Sequence, residues 1–271
     1  MISIITAVYN QLAVNQIFVE NLRRYSRLPH ELIIIDNHSN DGSREYFHSV
    51  GARVIENDAN YSYPVCQNKG IAIAKYPTYA FLNNDIIVAP GWDEKLLAVM
   101  RHHDLDIATP SDVERSENPK STRRLKRRWQ RIKNFLGLFG YRKSNLERMH
   151  RWMYRGGWEA FCARREQIFG TQIIEAFSGN SIMMTRNGLD KVGLWDERIQ
   201  AADFDLYIRA RKRFEEKGDV KPVHVALGVF HHHYVRMTMK TRYPPFADRA
   251  NIVTLAQKWG EETVRHYTGR F

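Results

Sequence analysis

The sequence predicts an α/β protein: a mostly parallel sheet flanked by helices, carrying one basic helical insertion. Three observations point there. Short Ile-rich runs recur between stretches with helical apolar spacing, and continuous apolar strands are what a sheet covered on both faces needs. Polar, turn-forming clusters follow the strand candidates. The third observation is that positive charge gathers in one segment. Between positions 115 and 172 there are 16 Lys/Arg against 4 Asp/Glu, while the rest of the chain has 25 against 26. A near-neutral body therefore carries one cationic region.

The elements follow in order. Met1–Val8 reads as a short buried strand, and Asn10–Arg27 places Val14, Ile17, Phe18 and Leu22 at helical spacing. Glu31–Asp36 is a second strand ending on a carboxylate, followed by turn chemistry over Asn37–Ser43. Arg53–Glu56 reads as a third strand, Pro64–Lys75 as a helix and Tyr79–Leu82 as another strand. Trp92–His102 is an amphipathic helix with Leu96, Leu97 and Met100 on one side. Ser111–Gln172 is poor in β-branched residues and rich in Arg, and reads as helical stretches inserted into the body. From Ile173 the mixed pattern resumes, with a helix at Asp203–Phe214, a strand at Val223–Phe230 and helical structure over Ala247–Tyr267.

The chain has 271 residues, 43% of them apolar, enough for a real core. Its two cysteines, Cys66 and Cys162, form no Cys-x-x-Cys pair, which argues against a disulfide framework or a zinc knuckle and for a reducing compartment. The first strand starts almost at the methionine, so no signal peptide is expected. No apolar run approaches the roughly 20 residues that span a bilayer. A cytoplasmic protein, at most peripheral at a membrane surface, is the expectation.

In open α/β sheets ligands collect beyond the carboxyl ends of the strands. Thr6-Ala7-Val8-Tyr9-Asn10, Asp36-Asn37-His38-Ser39-Asn40-Asp41-Gly42-Ser43 and Asn83-Asn84-Asp85 are polar clusters at such ends. No Gly-x-Gly-x-x-Gly and no Walker Lys-Ser/Thr is present, so a phosphate-cradling backbone loop is not expected. A carboxylate at a strand end instead suggests an acceptor for a base or ribose, or a metal ligand.

With Asn68-Lys69-Gly70-Ile71-Ala72, Phe81-Leu82-Asn83-Asn84-Asp85-Ile86, Val192-Gly193-Leu194-Trp195-Asp196-Glu197-Arg198 and Asp203-Phe204-Asp205-Leu206 following in order, the chain resembles the large inverting glycosyltransferase family of the GT-A fold, which includes cellulose, chondroitin and rhamnan synthases. The resemblance leaves out the basic insertion and the extreme C-terminus. It implies a GT-A-like, Rossmann-type sheet in a single domain over 1–271. Residues 1–110 would form the nucleotide-sugar-binding half, 111–172 the basic insertion and 173–271 the catalytic and acceptor half.

The resemblance also implies roles. Asp36 would accept from the nucleotide base near Thr6 and Tyr9, and Lys69 would reach the diphosphate. Asn83-Asn84-Asp85 occupies the family's Asp-x-Asp position, so Asn83 and Asn84 would contact the donor and Asp85 would ligate a divalent metal, Mn2+ or Mg2+. Asn83 stands where many relatives have Asp. Asp203 would be the catalytic base, with Ala202 where relatives have Glu, and Asp205 is its neighbouring competitor. A late histidine, His231 or its rival His233, would complete the metal site. The expected donor is a nucleotide sugar, a UDP-sugar first.

The insertion holds Trp129, Trp152 and Trp158 among its cations. Arg123, Arg124, Arg127, Arg128, Trp129 and Trp152 are the candidate acceptor contacts, and the acceptor is expected to be anionic. A lipid-linked glycan at a membrane surface suits cations mixed with Phe135, Leu136, Leu138 and Phe139. DNA with hydroxylated bases suits Arg with stacking Trp. A catalytically silent nucleic-acid- or membrane-binding protein is the reading from a different class. A glycan or lipid-linked glycan is the first expectation, and DNA is the alternative.

Overall fold

The computed structural model describes residues 1–235 and 243–269. Its centre is an eight-stranded sheet, parallel in one half and mixed in the other. Strand β1 (Ile2–Val8) pairs in parallel with β2 (His30–Asp36) along its whole length, from Ile2 opposite His30 to Val8 opposite Asp36. On the far side of β2 lies β3 (Arg53–Glu56); on the other side of β1 lies β4 (Thr78–Leu82). Because these strands run parallel and in step, the residues after each of them emerge along one edge. That brings Tyr9, Asn37 and Asn83 to the same border of the sheet.

The side chains divide by the period of two that a strand imposes. Ile4, Val8 and Ile34 pack into one layer, and Ile5, Ile33 and Ile35 into the other. Helix α1 (Leu12–Tyr25) buries Val14, Ile17, Phe18 and Leu22, the spacing seen in the sequence, in the first layer. The short α2 (Ser43–Ser49) adds Phe47 to that layer, while α3 (Tyr63–Ile73) covers the second with Cys66 and Ile71.

The two-residue strand β5 (Ile86–Ile87) follows Asp85, and α4 (Trp92–His103) returns the chain to β6 (Ile107–Ser111). Helices α5 (Pro119–Leu136), α6 (Lys143–Met153) and α7 (Trp158–Phe169) make up the basic segment. Trp129, Leu136, Leu146, Met149 and Trp158 from these helices are buried in the same layer as α1. The chain then runs through β7 (Ile173–Glu175), β8 (Ser181–Thr185), α8 (Arg186–Val192), α9 (Ala202–Lys217), β9 (His224–Phe230) and β10 (His232–His233), and ends in α10 (Leu255–Trp259) and α11 (Glu261–Thr268). The sheet order is β3-β2-β1-β4-β8-β6-β9-β7, with a separate β5–β10 ribbon.

Three strands of the eight-stranded sheet were not expected from the sequence, each for a physical reason. β6 contains Pro110, and its register with β9 slips between Pro110 and Ser111, as a proline within a ladder requires. β8 is Ser-Ile-Met-Met-Thr, with little β-branched signal, and β7 has three residues. β8 matters most. It runs antiparallel between β4 and β6, so its beginning, rather than its end, lies at the ligand edge, and Asn180 accepts a hydrogen bond there from the Asn83 amide at 2.9 Å.

Gly70 shows how closely α3 sits on the sheet. A Cβ at this position would lie 2.3 Å from a methyl of Ile5 and 3.1 Å from Ile35. Both neighbours are fully buried β-branched residues and have little room to yield. Gly70→Val is expected to lower stability by about 1–3 kcal/mol through overpacking; the midpoint of urea unfolding checks it.

Candidate active site

A cavity of about 270 Å³ opens at the shared strand edge. Tyr9 after β1, Asn37 after β2, and Asn83, Asn84 and Asp85 after β4 form its floor; Tyr61, Tyr63 and Gln200 form one side. Tyr243 and Phe246 complete the wall, with the Tyr243 ring 5.2 Å from that of Tyr9. This wall is fastened to the loop before α3. Asn60 donates to the Pro244 carbonyl at 2.8 Å and accepts from the Ala247 amide through its backbone, while Ser62 hydrogen-bonds Asp248 at 2.5 Å. Asn37 holds that loop from below, donating to the Tyr61 carbonyl and accepting from the Tyr61 amide and Asn57.

At one end of the cavity the β5–β10 ribbon brings together groups far apart in sequence: Ile86 pairs with His233 and Ile87 with His232, and the Tyr234 amide donates to the Asp85 carbonyl at 2.9 Å. His233 Nε2 thereby lies 3.3 Å from Asp85 Oδ1, and its Nδ1 lies 3.0 Å from Glu114 Oε2. Burial alone would lower the His233 pKa; the carboxylates of Asp85 and Glu114 outweigh it and raise it to about 10. Asp112, Glu114 and His233 also have ligand atoms within 4.8 Å of one another. Burial raises the Asp112 pKa, against the opposing pull of His233.

These groups fit a divalent cation, and the hydrogen bonds indicate which would hold it. Asp85 Oδ1 is buried and faces only the His233 ring among the described residues, and a buried carboxylate oxygen with so little compensation gains much from a cation. Asp112 is already committed: its oxygens accept from the Glu114 and Arg115 amides, from Ser178 Oγ and from Asn180. Glu114 sits on the Nδ1 side of His233, the position from which a carboxylate orients a metal-binding imidazole. Asp85 and His233 Nε2 are therefore the ligand pair that fits best, with Glu114 behind the ring and a cation displacing the proton that Nε2 otherwise holds toward Asp85.

Asp203 is in the first turn of α9 and contacts the strand edge at Gly179. A Cβ on Gly179 would lie 2.0 Å from Asp203 Oδ2, so the carboxylate occupies space that only glycine leaves. Burial raises the Asp203 pKa, partly offset by hydrogen bonds from the Phe204 amide and its own backbone. Asp205, the competitor, is buried and engaged by Arg209 at 2.8 Å, Lys258 at 2.6 Å and Trp259 at 2.8 Å. Its role is to bind α10 to α9.

A family model described as glycosyl transferase family 2 matches residues 3–186, more than half of the chain. The chain belongs to glycosyl transferase family 2. Two solved structures share its fold. S. aureus TarS 1–349 superposes with a TM-score of 0.51 at 12% identity, covering 87% of this chain and 60% of that one. S. aureus TarS superposes with a TM-score of 0.52 at 12% identity, covering 86% and 36%. The chain thus spans less than two thirds of either, and at this identity the likeness is one of fold. No curated protein matches it.

For this family member the remaining expected site residues fall as follows. Thr6 is fully buried beneath the cavity and its hydroxyl has no partner. Asp36 is buried, with Oδ2 bound by Arg44 and the Ser39 amide while Oδ1 has no partner. Lys69 donates to Asn57 at 2.6 Å and lies 4.3 Å from the Tyr61 ring centroid, behind the cavity wall. Asn84 donates to Asn15 of α1 at 2.7 Å. Arg123, Arg124, Arg127 and Arg128 line an open groove with Trp152, away from the cavity. Trp129 is turned inward, its ring 4.8 Å from His232 and 5.5 Å from Tyr234, because it lies on the apolar stripe of α5. Glu114, Asp112, Gly179 and the Tyr243–Phe246 wall had no signal in the sequence that marked them as site residues.

His231 lies in the core rather than at the cavity. It is fully buried, 5.4 Å from the Trp92 ring, and neither ring nitrogen has a hydrogen-bond partner. Burial holds its pKa at about 3. Since the unfolded imidazole titrates near 6.5, the unfolded chain binds more protons between those values, and the stability from this neutral residue is present above pH ~6.5 and lost as pH falls toward 3. His231→Phe is expected to flatten that acid loss, as read by urea midpoints at pH 7 and pH 5, and to leave sugar-donor hydrolysis at pH 7.5 within about twofold. An unchanged acid profile, or lost hydrolysis, would contradict the placement.

Proposed function

We propose that the protein transfers a sugar from a nucleotide-sugar donor, a UDP-sugar first, to an acceptor hydroxyl, with inversion and with the help of Mn2+ or Mg2+. The observation that carries this is the 3.3 Å approach of His233 Nε2 to the buried Asp85 Oδ1 at the end of a cavity built on the strand edge. The rim residues suit a donor: Tyr9 and Tyr243 offer aromatic faces, and Asn37 and Asn83 offer amides. Imidazole with carboxylate is a donor set that manganese accepts well and magnesium tolerates.

When bound, the cation supplies charge neutralisation for the departing diphosphate. The chain's own residues do the rest. Glu114 accepts from His233 Nδ1–H and keeps Nε2 turned toward Asp85. Asp203 takes the proton of the attacking hydroxyl at a carboxylate oxygen. Its raised pKa makes it a stronger base than an exposed aspartate. One base and one displacement invert the anomeric centre, with no sugar attached to the protein along the way. Gly179 keeps the space in which that carboxylate sits.

Incubation with a panel of sugar nucleotides and Mn2+, followed by assay of released nucleoside diphosphate, tests the reading directly. Release that stops on chelation and returns with Mn2+ supports it; no release from any donor, with or without acceptors, sinks it. Asp203→Asn is expected to lower turnover by about 10²–10⁴-fold with the donor Kd unchanged. Gly179→Ala should act in the same direction by displacing that carboxylate. Glu114→Gln is expected to raise the Mn2+ concentration at half-maximal activity by about 10–100-fold, with maximal turnover recovered at saturation.

A further inference from the structure

The outer face of the basic segment forms a second surface, separate from the cavity. Lys120, Arg123, Arg124, Arg127, Arg128 and Arg131 along α5, with Arg155 after α6, line an open groove of about 1010 Å³ that no carboxylate shares. None of these cations forms an ion pair among the described residues. At its edge the groove passes into an apolar surface through Trp152, which lines the groove and stacks on Phe135 with ring centroids 6.1 Å apart. Phe135 in turn meets Phe139 at 6.2 Å. The short helical turn Gly137–Phe139 carries Leu138 and Phe139, 81% and 64% exposed. Four large apolar side chains thus form one exposed patch beside a field of unpaired cations.

We propose that this face docks the enzyme on an anionic lipid surface, with the arginines against headgroup phosphates and Leu138 and Phe139 inserted at the acyl boundary. Unpaired cations call for an anionic partner, and desolvated apolar side chains next to them call for an apolar phase; a lipid interface supplies both within ~5–10 Å of depth. Nucleic acid satisfies the first demand but leaves Leu138 and the exposed edge of Phe139 in water. A monomer in solution also rarely leaves such apolar residues clustered. The inner face of α5 packs on the strand that carries His233, through Trp129 on His232 and Lys133 on the Val235 carbonyl at 3.0 Å. Docking here would bring a lipid-borne acceptor to the catalytic body without a membrane-spanning helix; none of the helices among the described residues is long and apolar enough to be one. The inference stands apart from the sugar-transfer reading, since surface binding needs neither donor nor metal.

Co-sedimentation of the full chain with vesicles of neutral phosphatidylcholine, or of phosphatidylcholine with phosphatidylglycerol, tests it at 50 and 300 mM salt, beside duplex DNA at the same salt. Binding to the anionic vesicles, weakened by salt, is expected. Each cation contributes roughly fivefold near such a surface. Arg123→Gln, Arg127→Gln and Arg131→Gln together should therefore reduce it by on the order of a hundredfold. Leu138→Ser with Phe139→Ser should reduce it about tenfold or more at unchanged charge. All five positions are exposed, and thermal midpoints confirm that the variants are folded. No binding to anionic vesicles at 50 mM salt, binding unaffected by the Leu138/Phe139 change, or DNA bound more tightly than the vesicles at equal salt would each overturn the proposal, the last in favour of a nucleic-acid surface.

Discussion

The two-residue ladder between β5 and β10 is the contact on which the candidate site depends. It sets Ile86 opposite His233 and so puts Asp85 and one imidazole side by side. The pleat then decides which histidine serves. Successive side chains of a strand point to opposite faces, so His232 goes under Trp129 and Tyr154 while His233 meets the carboxylates. His231, still in the turn out of β9, is sealed against Trp92. Three identical residues in a row acquire three different environments from backbone geometry alone.

The electrostatics follow from that ladder. Asp85 and Asp112 are buried within a small region and Glu114 stands beside them, an arrangement whose desolvation cost would be large without a counter-charge. His233 supplies one, and its pKa rises because two carboxylates face it. Asp203 has no such cationic partner among the described residues. Burial raises its pKa against two backbone hydrogen bonds. The same region of the protein therefore holds one carboxylate paired with an imidazole and another without a counter-charge.

Much of the sheet was legible. β1 and β2 are dense in isoleucine, which leaves few other structures for those residues, and the polar clusters after β1, β2 and β4 do line the cavity edge. Asn68 and Trp195, singled out separately, hold each other: the Asn68 side chain bonds the Trp195 amide and carbonyl at 3.0 and 2.9 Å. What escaped was whatever depends on three-dimensional pairing. β8 is built around two methionines with little β-branched signal, and β6 contains a proline, so Asp112 and Glu114 just beyond it looked like loop residues. Trp129 was indistinguishable from the exposed Trp152 by composition, because both stand among arginines. Only the stripe of α5 that faces β10 separates them. The wall at 243–246 comes from a Pro-Pro turn whose place in space no local pattern encodes.

Helix α5 has a further consequence. Its inner stripe, Trp129, Lys133 and Leu136, is buried against the body, whereas its outer arginines form no ion pair among the described residues. The two stripes therefore face different constraints. Substitution on the outside can change which surface the protein meets while the cavity at the strand edge stays intact. An insertion of this kind gives an old catalytic body a replaceable address.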